Sequence, residues 1–558
     1  MKKVLCAVLA IVLLLGLCAC GTNAPSYSGD KYDKEGKVTL TVGLRSNAKI
    51  ISFEDNALTK WLEETTGVNI EIVEFAGGSD VTTQISTTIA ARQDLPDILW
   101  GVTLSAGTLE TYGHEGYLVD MRPYFDDKEG ASKTFWTRME ESLSDYQQEY
   151  ILNKLIDPDT GGIYAVPTVE TSLVDGIHYM AWINTEWLDK LGLEEPTNNQ
   201  ELYDMLVAFR DKDPNGNGLK DEIPLFGTQA SMPPAKVLDM LVNTFMYYNP
   251  SHSWQDYDGD GQLEHAQIQD EYREALKFIN KLYKEKLLTS MVYTVKSDEM
   301  QQIITPSNGV PLVGMFCGHL TLHATFGNEL LYNYKAVTPW GAVCERDMGF
   351  NLTSMITETA QKRGVVDEAF NLLMTMWSWD GSMRIRYGEY GVNWTDPDPG
   401  ATSDYGLPAT YKVLKDGMEE QGSQVWGSAS GSLNHYCEGE TAQTNDGTNP
   451  WIAAKSQMHA EARRIYDEAE KTINPTFLEN PVRQSFILNS QEEESISMQK
   501  TNVNAWITQH VKDFVCGTNK QDINDDADWK AYVDGVYEQG YEDVQKMYQT
   551  AYERQEKK

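Results

Sequence analysis

Between residues 38 and 100 the chain switches repeatedly between two periodicities, which restricts the folds open to it. Val38-Thr-Leu-Thr-Val-Gly-Leu44 alternates with the period of two expected of a strand. Residues 56–65 then put Leu58, Trp61 and Leu62 on one helical face, and Gly67 stops the helix. Val68–Val73 reads as a second strand, Val81–Arg92 as a second helix and Leu95–Trp100 as a third strand. Strand, helix, strand, helix, strand predicts βαβ units, hence a parallel sheet covered by helices. The pattern returns later. Tyr179–Ile183 is strand-like, and Thr197–Gln200 has the form of a capping box, with Thr197 as N-cap and Gln200 reaching back. The helix after it aligns Leu202, Leu206 and Phe209, and residues 271–286 align Tyr272, Leu276, Ile279 and Tyr283. Val310–Phe316 reads as a buried strand, and 528–554 as one or two amphipathic helices broken near Gly540. Residues 380–480 turn rich in Gly, Ser, Asn, Asp and Trp, the composition of surface loops. No internal repeat of about 20–50 residues recurs, so a solenoid is not expected.

Charge excludes several partners. With 83 acidic and 46 basic residues the formal charge is −37, the opposite of a nucleic-acid footprint and of a surface drawn to anionic lipid. At 558 residues and 41% apolar, the chain is globular, with room for several domains or one large two-lobed fold.

The N-terminus carries an address. Lys2 and Lys3 precede an apolar run from Val4 to Cys20, short for a spanning helix and suited to a secretory signal. The run ends Leu17-Cys18-Ala19-Cys20-Gly21, which resembles the lipobox of bacterial lipoproteins. That resemblance implies a signal peptide over 1–19, diacylglycerol on Cys20 and a small, polar tether over 20–36. The protein would then sit on the bacterial cell surface, at the outer face of the cytoplasmic membrane, held by its lipid anchor alone. A plain signal peptide is the alternative. Cys317, Cys344, Cys437 and Cys516 are widely spaced with no Cys-x-x-Cys pair, which gives zinc and thioredoxin chemistry no support. Cys317 and Cys344 could bridge, or all four could be free thiols.

Two acidic, glycine-rich stretches stand out. Residues 211–222 read Asp-Lys-Asp-Pro-Asn-Gly-Asn-Gly-Leu-Lys-Asp-Glu. Calcium takes six to eight hard oxygens in flexible geometry, backbone carbonyls included, and a loop of this type supplies them from one stretch. Two registers fit: one opens at Asp211 and closes at Glu222, the other opens at Asp213. A solvated acidic turn is the competing reading. The second stretch, Asp256–Glu264, repeats the alternating oxygens but has Gln267 where a bidentate carboxylate would close an EF-hand loop. Its Asp-Gly turn favours a β-hairpin, and a second ion there stays open.

These stretches, taken in order, resemble the extracellular solute-binding proteins of ABC importers, in the large-bodied group that includes LipO-type lipoproteins and alginate-oligosaccharide binders. The likeness runs along nearly the whole chain after the signal. It is carried by Asn56–Val68, by Ala90-Ala-Arg-Gln-Asp-Leu-Pro-Asp-Ile98, by Gly161-Gly-Ile-Tyr-Ala-Val-Pro167 and above all by Trp182-Ile-Asn-Thr-Glu-Trp-Leu-Asp-Lys-Leu-Gly-Leu193 running into Asp213–Pro224. Arg386–Trp394 and Tyr548–Arg554 also fit, whereas 400–450 matches poorly and Lys286-Leu287 departs from the family's Glu-Gly. The resemblance implies an α/β, periplasmic-binding-protein-like fold: two lobes with parallel-type sheets, a hinge and a ligand cleft, covering residues 37–558. The lobes would be roughly 37–180 with 335–390, and 181–334 with 391–558. It also implies a structural Ca2+ held by Asp213, Asn215, Asn217, the Leu219 carbonyl, Asp221 and Glu222, in the second register.

The function so implied is capture of a carbohydrate, an oligosaccharide by preference, and its delivery to ABC permease subunits by a monomeric protein that is not an enzyme. Sugar rings stack on aromatic side chains while their hydroxyls bond to carboxylates and amides. Candidates for those roles are Trp182, Trp340, Trp394 and Trp426, with Glu170, Asp97 and Arg386 for polar contacts. Each Trp has a competing reading as core, and the acidity also admits a cationic ligand. A sensor that passes the bound state to a receptor would use the same fold. A secreted glycosidase would need two placed carboxylates, and Gly-x-Ser-x-Gly, His-Glu-x-x-His and Walker A motifs are all absent. A calcium-stabilised surface protein without a ligand is the remaining alternative.

Overall fold

The computed structural model describes residues 31–556 apart from 49, 77–79, 144, 171–180, 232–234, 251–252, 319–322, 325–327, 338–339, 341–348, 404–405, 416–420, 427–441, 444–487 and 489. Cys20, Cys344, Cys437 and the signal segment lie outside the described residues. Strands are numbered β1 (Thr39–Arg45), β2 (Asn69–Phe75), β3 (Ile98–Leu99), β4 (Val166–Glu170), β5 (Ala181–Asn184), β6 (Ile223–Phe226), β7 (Trp254–Gln255), β8 (Glu264–His265), β9 (Val313–Cys317), β10 (Tyr334–Val337), β11 (Gly349–Ile356), β12 (Trp394–Thr395), β13 (Tyr411–Val413) and β14 (Ala442–Gln443).

The first sheet has the order β2-β1-β3-β11-β4. β1 pairs in parallel with both β2 and β3, as the opening alternation predicts. Its register puts Val42 opposite Ile72 and Ile98, and Leu40, Val42 and Ile98 are fully buried. Helix Ala57–Thr66 covers the sheet with Leu58 and Leu62. Asn56 accepts from the Leu58 amide at its start, and Gly67 takes the left-handed conformation at its end. Helix Val366–Trp377 packs against the same core, and the Trp377 indole donates to the Pro167 carbonyl at 2.9 Å.

The second sheet has the order β10-β5-β9-β6, with β6 and β9 parallel. Helix Asn199–Asp211 buries Leu202, Leu206 and Phe209 against it. A Cβ on Gly314 of β9 would lie 2.3 Å from the Phe209 ring, so the close helix–strand approach needs glycine there. Helices Ser490–Cys516, Asp526–Glu538 and Tyr541–Glu556 complete this core through Phe514, Tyr532 and Tyr541. The short sheet β12-β13-β14 is separate.

The division between the two bodies differs from the sequence-based one in two places. β10 pairs with β5, so residues 334–337 belong to the second sheet. The segment after 391 splits. Trp426 enters the first core, with Asn56 donating to the Val425 carbonyl at 2.9 Å, while Ile496, Val503 and Phe514 enter the second. Strand partners and indole burial decide both, and neither leaves a local sequence signal. Residues 31–36, read from the sequence as part of a tether, lie within the described body. From residue 31 the chain is docked: the Lys31 ammonium donates to the Gly364 carbonyl at 2.6 Å, and the Lys31 carbonyl accepts from Thr39 at 3.1 Å.

Capping is displaced by one residue. Asn198, not Thr197, is the N-cap, accepting from Gln200 and Glu201 amides at 3.1 and 3.0 Å. Glu201, not Gln200, reaches back, taking both the amide and hydroxyl of Thr197 at 2.8 Å. A carboxylate accepts two donors better than an amide does. Cys317 is a free, buried thiol lying 3.6 Å from the Met240 sulfur, so the proposed bridge to Cys344 is not formed.

Candidate functional site

Two places combine geometry with chemistry: an oxygen-rich loop and the C-terminal edges of the two sheets. The loop begins where helix Asn199–Asp211 ends. Asp211 is still helical, and its carboxylate accepts from Arg210 in two bonds of 2.8 Å. Asp213 follows with φ 47°, and Gly216 and Gly218 have φ 74° and 76°, a tight coil that turns side-chain oxygens inward. Asp213 Oδ2 accepts from the Gly218 amide at 3.1 Å, Asn215 Oδ1 from Asn217 at 3.0 Å and Asn217 Oδ1 from Leu219 at 2.7 Å. Leu219 is 61% exposed, so only its carbonyl can contribute. The amides of Asn215 and Asn217 both donate to Asp221.

Two oxygens in this loop are buried without any partner, Asp213 Oδ1 and Glu222 Oε1. Burial pushes the Glu222 carboxyl above the usual carboxylate range, and the nearby Asp221 and Asp213 push it further. A buried acceptor without a donor is costly, and a hard cation is one group that satisfies several at once. The oxygens therefore fit calcium. Among the described residues no group of three or more His, Cys, Asp or Glu is placed to hold a metal ion.

The edges that the chain crossings join follow from strand directions. β1, β2 and β3 are parallel, and β11 runs against β3 and β4, so β4 shares the direction of β1–β3. In the second sheet β5 runs against β9 and β10, so β6, β9 and β10 share one direction. The chain leaves the first sheet at the C-terminal end of β4 and enters the second at the start of β5. It returns from the C-terminal end of β10 to the start of β11. Both crossings therefore join the C-terminal edges of the two sheets. In open α/β sheets ligands bind outside the carboxyl ends of the strands.

The sequence-picked residues divide against this frame. Trp182 is fully buried in β5, stacked on Phe316 and donating to the Gly318 carbonyl at 2.8 Å. Trp426 is in the first core, edge-on to Trp100 at 5.9 Å and donating to Thr59 Oγ1 at 2.8 Å. Trp394 is buried in the small β12–β14 cluster, its indole on the Gly388 carbonyl at 3.0 Å. These three are packing residues with no face free for a ligand, because tertiary burial claims the indoles that local sequence left ambiguous. Asp97 is fully buried beneath the first sheet, paired with Arg363 and accepting from Thr41 N and Oγ1 at 2.8 and 2.9 Å. Burial pushes its carboxyl upward, and the Thr41 amide and Arg363 oppose that. It is a structural ion pair. Arg386 is also buried, its guanidinium 4.9 Å from the Tyr387 ring centroid.

Trp340 and Glu170 fall at the crossings instead. Trp340 follows β10, half-buried, with its indole on Asn199 Oδ1 at 3.1 Å. Glu170 ends β4 and pairs with Gly349, and its side chain is outside the described residues. Sequence reading missed the polar groups just past β6 and β9. Ser231 Oγ lies 2.8 Å from Ser297 Oγ and 3.2 Å from Nε2 of the buried His323. The available signal was position for two of them: Ser231 and His323 stand a few residues beyond the strand ends Phe226 and Cys317, while Ser297 opens the helix Ser297–Ile304.

Known proteins agree with this geometry. Residues 48–310 match the family described as bacterial extracellular solute-binding protein. The fructooligosaccharide ABC transporter substrate-binding protein FusA of Streptococcus pneumoniae serotype 4 is 28% identical over 303 residues, covering 50% of this chain and 52% of FusA. Lipoprotein LipO of Bacillus subtilis is 25% identical over 233 residues, 41% of this chain and 40% of LipO. The matched stretch thus spans about half the length of these curated relatives. The fold extends further. A solved extracellular solute-binding protein from Bifidobacterium longum subsp. infantis superposes with a TM-score of 0.73 at 19% identity, over 94% of this chain and 99% of that one. A FusA EF-hand mutant in complex with fructo-nystose gives 0.68 at 20%, over 93% and 99%. Over residues 48–310 the chain is therefore similar to the bacterial extracellular solute-binding proteins, and its fold is that of the solved members of that group.

Proposed function

We propose that this protein is the substrate-binding component of a carbohydrate ABC importer, closing on an oligosaccharide in the crevice between its two sheets. The observation that carries this reading is the pair of crossings joining C-terminal edge to C-terminal edge. Such a connection leaves two bodies free to approach over a ligand while the strand ends present loop groups from both sides. The name of FusA supports the ligand class. On the second body, Ser231 and Ser297 supply hydroxyls that donate and accept, matching the dual character of sugar hydroxyls. The buried His323 imidazole holds Ser231 in place from behind. The protein acts by binding alone and hands its ligand to the permease as a monomer.

Calcium belongs to this proposal as a structural ion on Asp213, Asn215, Asn217, the Leu219 carbonyl, Asp221 and Glu222. When bound it supplies positive charge to the buried Asp213 and Glu222 oxygens. Lipid on Cys20 completes it, with the body held at the outer face of the membrane. Among the described residues no helix is long and apolar enough to cross a membrane. Cys20→Ala is expected to release the protein from the cell envelope into the medium, and unchanged retention would argue against the anchor. The function itself is tested by a panel of neutral and acidic oligosaccharides. At least one should raise the melting temperature without being converted to product. Turnover of any glycan would favour an enzyme instead.

A further inference from the structure

We propose that the groove between helices Asn199–Asp211 and Asp270–Lys284 is a second binding site, for a carboxylate-bearing ring of an acidic oligosaccharide. It goes beyond the crevice reading and uses none of the crevice residues. The groove measures about 690 Å³, the size of a small-ligand site. Its apolar floor is the half-buried pair Phe245 and Phe278, with ring centroids 5.7 Å apart. Along one side run Lys277, Lys281 and Lys284, at i, i+4 and i+7 of one helix and therefore on one face.

The charges around that floor are unequal. Lys277 is paired with Glu274 at 2.6 Å. Lys281 makes no ion pair among the described residues, and its ammonium lies 3.5 Å from the centroid of the Tyr203 ring. Lys284 is exposed and touches no carboxylate within ion-pair distance, feeling Asp522 only through the field. The second acid in the lining, Glu285, accepts from the Tyr203 hydroxyl at 2.7 Å and so fixes that ring. Neither ammonium has a carboxylate partner among the described residues, and both stand beside half-buried aromatic carbon, on a chain whose formal charge is −37. The helix dipole favours lysines near a C-terminus, but it does not call for phenylalanines left half-open beside them. A sugar ring offers an apolar face for the phenylalanines, and a ring carboxylate offers the charge that Lys281 and Lys284 lack. A neutral sugar would leave the lysines unmatched, and a small inorganic anion would leave the floor uncovered.

The test uses the full chain and α-1,4-trigalacturonate, with its methyl ester as the uncharged control, read by titration calorimetry. Expected are saturable binding of trigalacturonate, affinity for the ester lower by about tenfold or more, and a similar loss in Lys281→Gln/Lys284→Gln. Both lysines are exposed, so the variant should fold, and an unchanged melting temperature checks this. No saturable binding, equal binding of the ester, or undiminished binding by the double variant would overturn the proposal. The last outcome would assign the acidic glycan to the crevice, leaving the transport reading intact. Conversely, if neutral glycans fail to bind in the crevice but the lysine-dependent site persists, only the transport reading falls.

Discussion

The two acidic loops, Asp213–Glu222 and Asp256–Glu264, fold by the same turn chemistry and end in different states. In each, the opening Asp accepts from the amide five residues on, at 3.1 Å for Gly218 and 3.0 Å for Gly261. In each, the fifth residue accepts from the amide two further on, at 2.7 Å for Leu219 and 2.8 Å for Gln262. The first loop is left with two buried, unpartnered carboxylate oxygens. The second is closed as a hairpin by β7 and β8 and clamped by the C-terminal helix. Gln549 takes the Leu263 amide and donates to the Gly261 carbonyl, both at 2.9 Å, and Gln545 donates to the Leu263 carbonyl at 2.8 Å. Gln267, the residue that would have to close an ion site, donates instead to the Tyr272 hydroxyl at 2.9 Å. Alternating oxygens around glycine thus specify a coil, and whether an ion is needed depends on which surrounding groups satisfy the oxygens.

The largest effect should come from removing the ion from the first loop. Calcium at a thousand times its Kd stabilises by about 4 kcal/mol through linkage, and a chelator should abolish that gain in calorimetry. Asp213→Asn should make the melting temperature indifferent to calcium. A chelator response that survives this change would transfer the ion elsewhere. The pH responses of the loops should also be opposite. His265 at the base of the second loop is buried with its imidazole pushed down to about 4 by burial. Its neutral form stabilises fully above the ordinary value near 6.5, and the contribution is lost as pH falls from there toward 4, on the order of 3 kcal/mol. Glu222 is raised, so in chelator the first loop favours low pH and loses stability as pH rises through its folded value. Calcium should suppress that loss. A melting-temperature profile against pH, with and without calcium, reads both slopes. Cutting the clamp with Gln549→Ala should cost about 1 kcal/mol, and hydrogen exchange should rise at Leu263. The smallest effect is expected for Asp256→Asn, within about 0.5 kcal/mol and independent of calcium. A calcium-dependent loss there would make the two loops equivalent.

How much of this was legible depended on whether the signal was local. The period of two in Thr39–Arg45 and the stripe of Leu202, Leu206 and Phe209 are local, and they became strand and helix. The coil of the first loop was legible too, because its oxygens and glycines are contiguous. The ligand aromatics were not legible. Trp182 and Trp426 are bonded to oxygens 136 and 367 residues away, which nothing around them in sequence announces, while Trp394 bonds the Gly388 carbonyl six residues back. Asp97 misled for a related reason: its partner Arg363 lies 266 residues away. The crevice was visible only as an implication of resemblance, since strand direction in the returning β10–β11 crossing is a tertiary property.

The central claim, capture of a glycan between the two C-terminal edges, is tested most directly by hydrogen exchange on the chain saturated with a glycan that raises its melting temperature. Protection should appear together at residues 100–104, past β3, and at 227–231, past β6. Protection confined to one body, or to the groove lined by Lys281, would contradict closure over a ligand in the crevice.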